Sequence, residues 1–252
     1  MTRKRPTVVL TGATGNIGSK LRACLADTYN LICVDMNDKG DPEVIPADLS
    51  LDGVWMELFR GAEAVIHLAA NPDPVQSWES TQRNILIDYL VLEAARRAGV
   101  SRLIYGSSNH VMGGYKDSAE SITPDLAPRP GAHWDYYGRP SWSIDYGLGK
   151  FCGEEMCRCF AHAHGLTTIA VRIGWVQSGE NRPVDMPDNA DQWTRLMWLS
   201  NSDLCELFRR CLAMELEAGT FLVVNGMSKN SGMRWDIEST RAKLGYRPAE
   251  GV

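Results

Sequence analysis

The apolar positions of this chain fall into short continuous runs separated by longer periodic ones. Thr7–Leu10 is an apolar or β-branched run of the kind that forms a strand buried on both faces. A helical period follows through Leu21, Cys24 and Leu25, and then a second run, LICVD, ends at Asp35. Further strands are expected at Val44–Pro46, Ala64–Leu68, Arg102–Gly106, Thr167–Ile173 and Phe221–Val224. Helices are expected at Ser77–Ala98, where Gly99 is the stop, and at Asp145–His164, Ser202–Ala213 and Ile237–Leu244. Leu51–Phe59 reads as a further helix, with Asp48 as its cap in one reading. Strands alternating with helices imply an α/β fold with a doubly wound parallel sheet. Two stretches break the rhythm. Residues 113–143 are rich in Pro, Gly, Asp and aromatics and read as one long loop, and 174–194 is irregular. Both are expected over the carboxyl ends of the strands, around a substrate pocket.

The first turn carries the clearest motif. Gly12, Gly15 and Gly18 stand three apart between strand and helix, in TGATGNIG. In a Rossmann-type fold such glycines allow the tight bend, the approach of a pyrophosphate and close helix–strand packing. The helix start, Asn16-Ile17, offers free N–H groups to phosphate. Asp35 lies at the spacing expected for a carboxylate on the adenosine ribose, and Met36 follows it rather than an arginine, which points to NAD over NADP. Asp48 and Leu49 follow the third strand near the adenine position. Small residues, Ala69-Ala70 after Leu68, would let a cofactor lie across the strand ends. Asn84 is unfavourable inside a helix and is expected to hydrogen-bond across to the fifth strand. His67 reads as a packing histidine.

Composition narrows the partners. The chain has 252 residues, 44% of them hydrophobic, enough for one large α/β domain. A net charge of −5 argues against nucleic acid as the main partner, and Arg3-Lys4-Arg5 reads as a solvated terminus. No apolar run is long enough for a membrane span, and no signal-peptide segment is evident. Seven scattered cysteines without a paired motif suggest reduced thiols and a cytoplasmic protein.

Candidate chemistry sits after the fifth strand and at the next helix. Ser107-Ser108-Asn109-His110 leaves the strand, and Tyr146 and Lys150 share one face of the Asp145 helix. An ammonium beside a phenol favours the phenolate and makes Tyr146 a candidate base. The serine hydroxyl can hold the reacting oxygen. Cys157, Cys159, His162 and His164 cluster in sequence, but Cys157 and Cys159 point to different helix faces, so no metal site is expected. Trp134, Tyr136, Tyr137 and Trp142 could stack on a ring or simply pack the loop down.

In that order these motifs resemble an extended short-chain dehydrogenase/reductase, of the NAD-dependent epimerase/dehydratase type. The resemblance rests on TGATGNIG, Asp35, His67–Ala70, Asn84, Ser107–Asn109 and Tyr146/Lys150. Within that superfamily the chain is similar to uronate dehydrogenases and short-chain glucose-6-phosphate dehydrogenases, through Ser107–Gly113, Thr123–Pro130, Val171–Gly174 and Arg195–Asp203. The resemblance implies a cofactor domain over 1–175 and a small substrate-binding region over 176–252 folded onto it. It implies that Ser108, Tyr146 and Lys150 are catalytic, that Tyr146 and Lys150 also touch NAD, and that Asn109, His110, Trp175 and Arg195 meet the substrate. Arg195 would pair with an anionic group. The implied reaction is oxidation of C1 of a cyclic aldose with an anionic C6 group to its lactone, with NAD as hydride acceptor. Two departures bear on the sugar: Trp175 replaces a small polar residue of uronate dehydrogenases, and the 131–143 loop is longer. A nucleotide-sugar epimerase or dehydratase and a dinucleotide-sensing regulator are the rivals. The first needs a larger C-terminal region, and the second usually loses the Tyr/Lys pair. A homodimer or higher homo-oligomer is implied too, through the long helix before the fifth strand and the Tyr146 helix, whose second half carries Phe151, Met156, Cys159 and Phe160.

Overall fold

The structure is a computed structural model that describes residues 5–136 and 138–252. Nine strands and six α-helices are described: β1 Thr7–Thr11, α1 Asn16–Leu25, β2 Asn30–Asp35, β3 Val44–Pro46, β4 Ala64–His67, α2 Trp78–Arg97, β5 Arg102–Ser108, β6 His133–Tyr136, β7 Arg139–Trp142, α3 Ile144–His164, β8 Thr167–Ile173, α4 Gln192–Met197, α5 Asn201–Ala213, β9 Phe221–Gly226 and α6 Glu238–Leu244. Seven strands form one parallel sheet in the order β3-β2-β1-β4-β5-β8-β9. The order reverses between β1 and β4, and in such sheets the crevice at that point is where ligands bind.

Alternation along β1 shows why both faces are covered. Val8 and Leu10 pack with Leu21 and Leu25 of α1 and with Leu204, Leu207 and Phe208 of α5. Val9 points the other way, into a core with Val91, Leu92 and Ala95 of α2 and with Cys157 and Phe160 of α3. Full burial of side chains such as Leu21 or Phe208 is worth about 1.5–3 kcal/mol each. β9 extends the same sheet, so residues beyond 175 complete the sheet and its covering layer. A third cluster, with Val111, Tyr115, Trp193, Met197 and Trp235, joins the post-β5 segment to the C-terminal part. No helix among the described residues is long and apolar enough to cross a membrane.

Several expectations change in three dimensions. Leu51–Phe59 is not an α-helix but a shorter 3-10 turn over Val54–Phe59. The long loop contains structure: a 3-10 segment over Asn109–Tyr115 and the antiparallel hairpin β6–β7. Of its four aromatics, Trp134 packs on His110 and Trp142 is exposed, while Tyr137 and the side chain of Tyr136 lie outside the described residues, as do Arg3 and Lys4. Asn84 does not reach β5. It accepts from the Asn71 N–H at 2.8 Å, donates to the Asn71 carbonyl at 3.1 Å and contacts Gln76, pinning the exit of β4. Cys24 and Cys205 are not free thiols. They form a disulfide with Cα atoms 6.2 Å apart, because α1 and α5 pack together across a sequence separation of 181 residues. Phe160 is buried, and Phe151 and Met156 pack inward; the exposed large apolar residues of α3 are instead Ile144 and Leu148, and α2 exposes Trp78, Leu86 and Tyr89.

Candidate active site

One cleft of about 860 Å³ runs along the carboxyl ends of β1, β2, β4, β5 and β8. At one end the glycine turn forms its floor. Gly12 has φ +71°, and a Cβ there would sit 2.8 Å from the Ala69 backbone nitrogen. A Cβ on Gly18 would lie 2.0 Å from the Gly12 carbonyl oxygen, so α1 closes onto the turn only with glycine there. Gly15 and the first α1 residues, Asn16 and Ile17, also line the cleft. Leu49, Leu68, Ala69, Ala70 and Asn84 form its walls.

Asp35 ends β2 facing this turn. Its Oδ2 accepts from the Thr14 N–H and hydroxyl at 2.9 and 3.0 Å, and its Oδ1 accepts from the Met36 N–H at 2.7 Å. The carboxylate is thus fixed in orientation and presents its remaining lone pairs to the cleft. Thr14 was not singled out in the sequence, yet it is the residue that aims Asp35. Asp48 is engaged elsewhere: Ser50 donates to it from backbone and side chain, and Arg83 pairs with it at 2.8 Å. Those hydrogen bonds, Ser50's foremost, hold its carboxyl below the usual range. Its neighbours Ala47 and Leu49, not Asp48, face the cleft.

The other end gathers the polar residues. Ser108, Asn109, His110, Tyr146, Lys150 and Trp175 all line it. The ends of β5 and β8 are paired as Ser108 with Ile173, and α3 crosses behind β5. Lys150 is nearly buried; its Nζ donates to the Gly106 carbonyl at 2.8 Å and lies 4.9 Å from the Tyr105 ring centre. Tyr105 donates to Asp88 at 2.7 Å, and Asp88 also meets His67 at 3.0 Å, so His67 is part of a buried support rather than of the cleft. Ser108 Oγ accepts the His110 N–H at 3.2 Å. Asn109 Nδ2 donates to the Ile173 carbonyl at 3.1 Å, while its buried Oδ1 has no partner among the described residues. The His110 ring stands edge-on to Tyr146 and to Trp134, at 5.4 and 5.6 Å between centroids. Burial pushes its pKa down to about 4.

Arg195 is not among the lining residues. It lies on α4, and its guanidinium donates to the carbonyls of Ala190, Pro187 and Asp188 at 3.1, 3.2 and 3.2 Å. α4 nonetheless backs the cleft wall, because the Trp175 N–H donates to the Met197 carbonyl at 2.7 Å. Beyond residue 175 only Val176 lines the cleft among the described residues. These also contain no group of three His, Cys, Asp or Glu side chains able to hold a metal.

A doubly wound sheet with a glycine turn and a fixed carboxylate at its switch point is the architecture of a dinucleotide-dependent enzyme. Residues 8–189 match the NAD dependent epimerase/dehydratase family, and the chain belongs to it. It is 30% identical over 96% of both chains to an L-arabinose 1-dehydrogenase (NAD(P)(+)) of Haloferax volcanii. It is 31% identical to an NAD-dependent glucose-6-phosphate dehydrogenase of the same organism, over 96% of this chain and 93% of that one. The crystal structure of a glucuronic acid dehydrogenase from Chromohalobacter salexigens superposes with a TM-score of 0.81 at 26% identity, covering 98% of this chain and 86% of that one. The chain is an NAD-dependent enzyme of this family. The glycine turn, which a Cβ at Gly12 or Gly18 would obstruct, and Asp35 fit that cofactor.

Proposed function

We propose that this enzyme oxidises C1 of a cyclic aldose to the lactone, with Tyr146 as the base. The observation that carries this reading is that Ser108, Tyr146 and Lys150 share one end of the cleft whose other end is the glycine turn. Gly12, Gly15, Asn16, Ile17 and Gly18 would hold the pyrophosphate, Asp35 the adenosine ribose, and Lys150 the nicotinamide ribose. Bound NAD supplies the two-electron oxidant. The Lys150 ammonium is anchored on the Gly106 carbonyl and lines the same cleft as Tyr146. The Tyr146 oxygen takes the proton of the C1 hydroxyl. Ser108 Oγ already accepts from the His110 N–H, which leaves its own proton free to donate to the reacting oxygen. Asn109 Oδ1 is buried without a partner among the described residues, a costly state that a sugar hydroxyl would relieve.

For the sugar, the first reading is an aldose with an anionic C6 group, a hexuronate ahead of a 6-phosphate or 6-sulfonate. It is supported by the Arg195 segment and by α4 backing the Trp175 wall. It requires the guanidinium to leave the 187–190 carbonyls. A neutral aldose is favoured by one observation: among the described residues Lys150 is the only cation lining the sugar end. The exposed apolar residues of α2 and α3 support a homodimer.

The test mixes enzyme and NAD with hexuronates, hexose 6-phosphates, 6-sulfo-6-deoxyglucose, arabinose and glucose and follows NADH absorbance. Turnover of none of these aldoses rejects the reading. Arg195→Ala then separates the two sugars. A lost bidentate charged contact costs about 1.5–3 kcal/mol, or roughly 10- to 150-fold in kcat/KM on the acid sugar, with little change on the neutral one. An equal loss on both rejects the anionic reading.

A further inference from the structure

A serine at the sugar end is diverted from its local role. Ser143 is the N-cap of α3, where a serine oxygen ordinarily accepts from an N–H in the helix's own first turn. Here it makes no such bond. Its side chain is fully buried and turned to the cleft wall, where it accepts the Ala132 N–H at 2.9 Å and lies 2.6 Å from His110 Nδ1. A hydroxyl has one proton to give. Ala132 is a donor, so it cannot take that proton. His110 Nδ1 is the only acceptor that the Ser143 hydroxyl meets among the described residues. The network therefore assigns the lone pair to Nδ1 and the ring proton to Nε2. Nε2 has no protein partner among the described residues, and the ring lines the cleft, clamped between Tyr146 and Trp134.

We propose that Ser143 is a positioning residue: its hydroxyl holds His110 as the neutral Nε2–H tautomer, which donates a hydrogen bond to a substrate oxygen beside Tyr146. Three elements meet in this one contact: the segment after β5, the approach to the β6–β7 hairpin and the start of the Tyr146 helix. The hairpin thereby acts on the site without lining it. That the oxygen belongs to a sugar rests on the function proposed above; the tautomer does not.

The experiment has two readouts on the intact protein. Long-range ¹H–¹⁵N correlation of the imidazoles, with His110 assigned by its loss in His110→Gln, reports the tautomer without any substrate. Wild type should show the neutral Nε2–H pattern at pH 7, and Ser143→Ala should lose it in favour of a mixture. Kinetics on the sugar that turns over should show KM raised about tenfold in Ser143→Ala, the size of one lost neutral hydrogen bond, with the KM for NAD within twofold. Ser143→Thr, which keeps the hydroxyl, should restore both. An Nδ1–H or doubly protonated His110 in wild type overturns the proposal even if Ser143→Ala does not fold. So does an unchanged tautomer and sugar KM in Ser143→Ala. If no sugar turns over, the spectrum still decides the tautomer while the substrate reading fails separately.

Discussion

Mild acid should destabilise the fold through one histidine. His110 ordinarily titrates at 6.5, and burial pushes it down to about 4 in the folded chain. The unfolded chain therefore takes up this proton as pH falls through 6.5, while the folded chain does so only near 4. Proton uptake by the unfolded state alone favours unfolding. The stabilising difference is complete above pH 6.5 and is lost as pH falls from 6.5 toward 4. At about 1.4 kcal/mol per pH unit the loss is about 2 kcal/mol by pH 5 and about 3 kcal/mol by pH 4. The window between 6.5 and 5 isolates this effect from the carboxylates. Glu93, held down to about 2 by Arg96, loses its contribution only below about 4.5. The assay is urea unfolding followed by fluorescence of the eight tryptophans, at steps between pH 7 and 4, for wild type and His110→Gln. The two slopes between pH 6.5 and 5 should differ by about 2 kcal/mol in total. If they are parallel, His110 is not held neutral by burial, and the account of the sugar-end wall is wrong at its centre.

Tyr146→Phe should lower kcat at least 100-fold while calorimetric NAD affinity stays within a few-fold, the size of loss expected for one general base. Lys150→Ala should damage both rate and NAD affinity if its ammonium, fixed at the Gly106 carbonyl, holds the nicotinamide ribose as proposed. Asp35→Ala should narrow the NAD over NADP preference in kcat/KM by about tenfold, one hydrogen bond to a charged group; an unchanged ratio would show that Asp35 does not read the ribose. Leu148→Asp on the exposed face of α3 should convert a sedimenting dimer into a 27.9 kDa species. A wild-type protein that already sediments at that mass removes the dimer.

The glycine-turn end of the cleft was legible in the sequence because local geometry builds it. Gly12 and Gly18 are required by a turn and a close packing a few residues away, and Asp35 lies at the end of the neighbouring strand. The central strands were legible for a related reason: they are continuous apolar runs buried on two faces, as Val8, Val9 and Leu10 show, whereas the hairpin β6–β7 has no such run. What was not legible depends on partners distant in sequence. Asn84 satisfies the backbone of Asn71 after β4, a contact invisible from its own helix. Cys24 and Cys205 meet only because α1 and α5 cover the same face of the sheet. Thr14 and Ser143 had local signals, a hydroxyl beside the glycine turn and a serine at a helix start, but each signal has a commoner explanation than the one the structure shows.

The same contrast separates the proposed proton-removal site from the choice of sugar. In the proposed reaction, proton removal would need a phenol, an ammonium and a hydroxyl together, and β5 and α3, which pack together, bring Ser108, Lys150 and Tyr146 to the lining of one cleft. Sugar choice depends on what closes the far wall. That wall is Trp175, held by backbone hydrogen bonds to Met197 and Leu199 at the end of α4. α4 itself is pinned by Trp193, Leu196 and Met197, which are buried in the third cluster, so only the Arg195 side chain is at issue. In the present arrangement the 187–190 carbonyls take the guanidinium, satisfying three of its donor contacts away from the cleft. On the proposed anionic reading, the sugar would have to outcompete neutral carbonyls for Arg195, which a carboxylate or phosphate could do through charge-assisted, two-pronged hydrogen bonds and a neutral hydroxyl could not. Discrimination between acid and neutral sugars would then lie in that exchange, and the bulk of Trp175 would set how closely C6 approaches it.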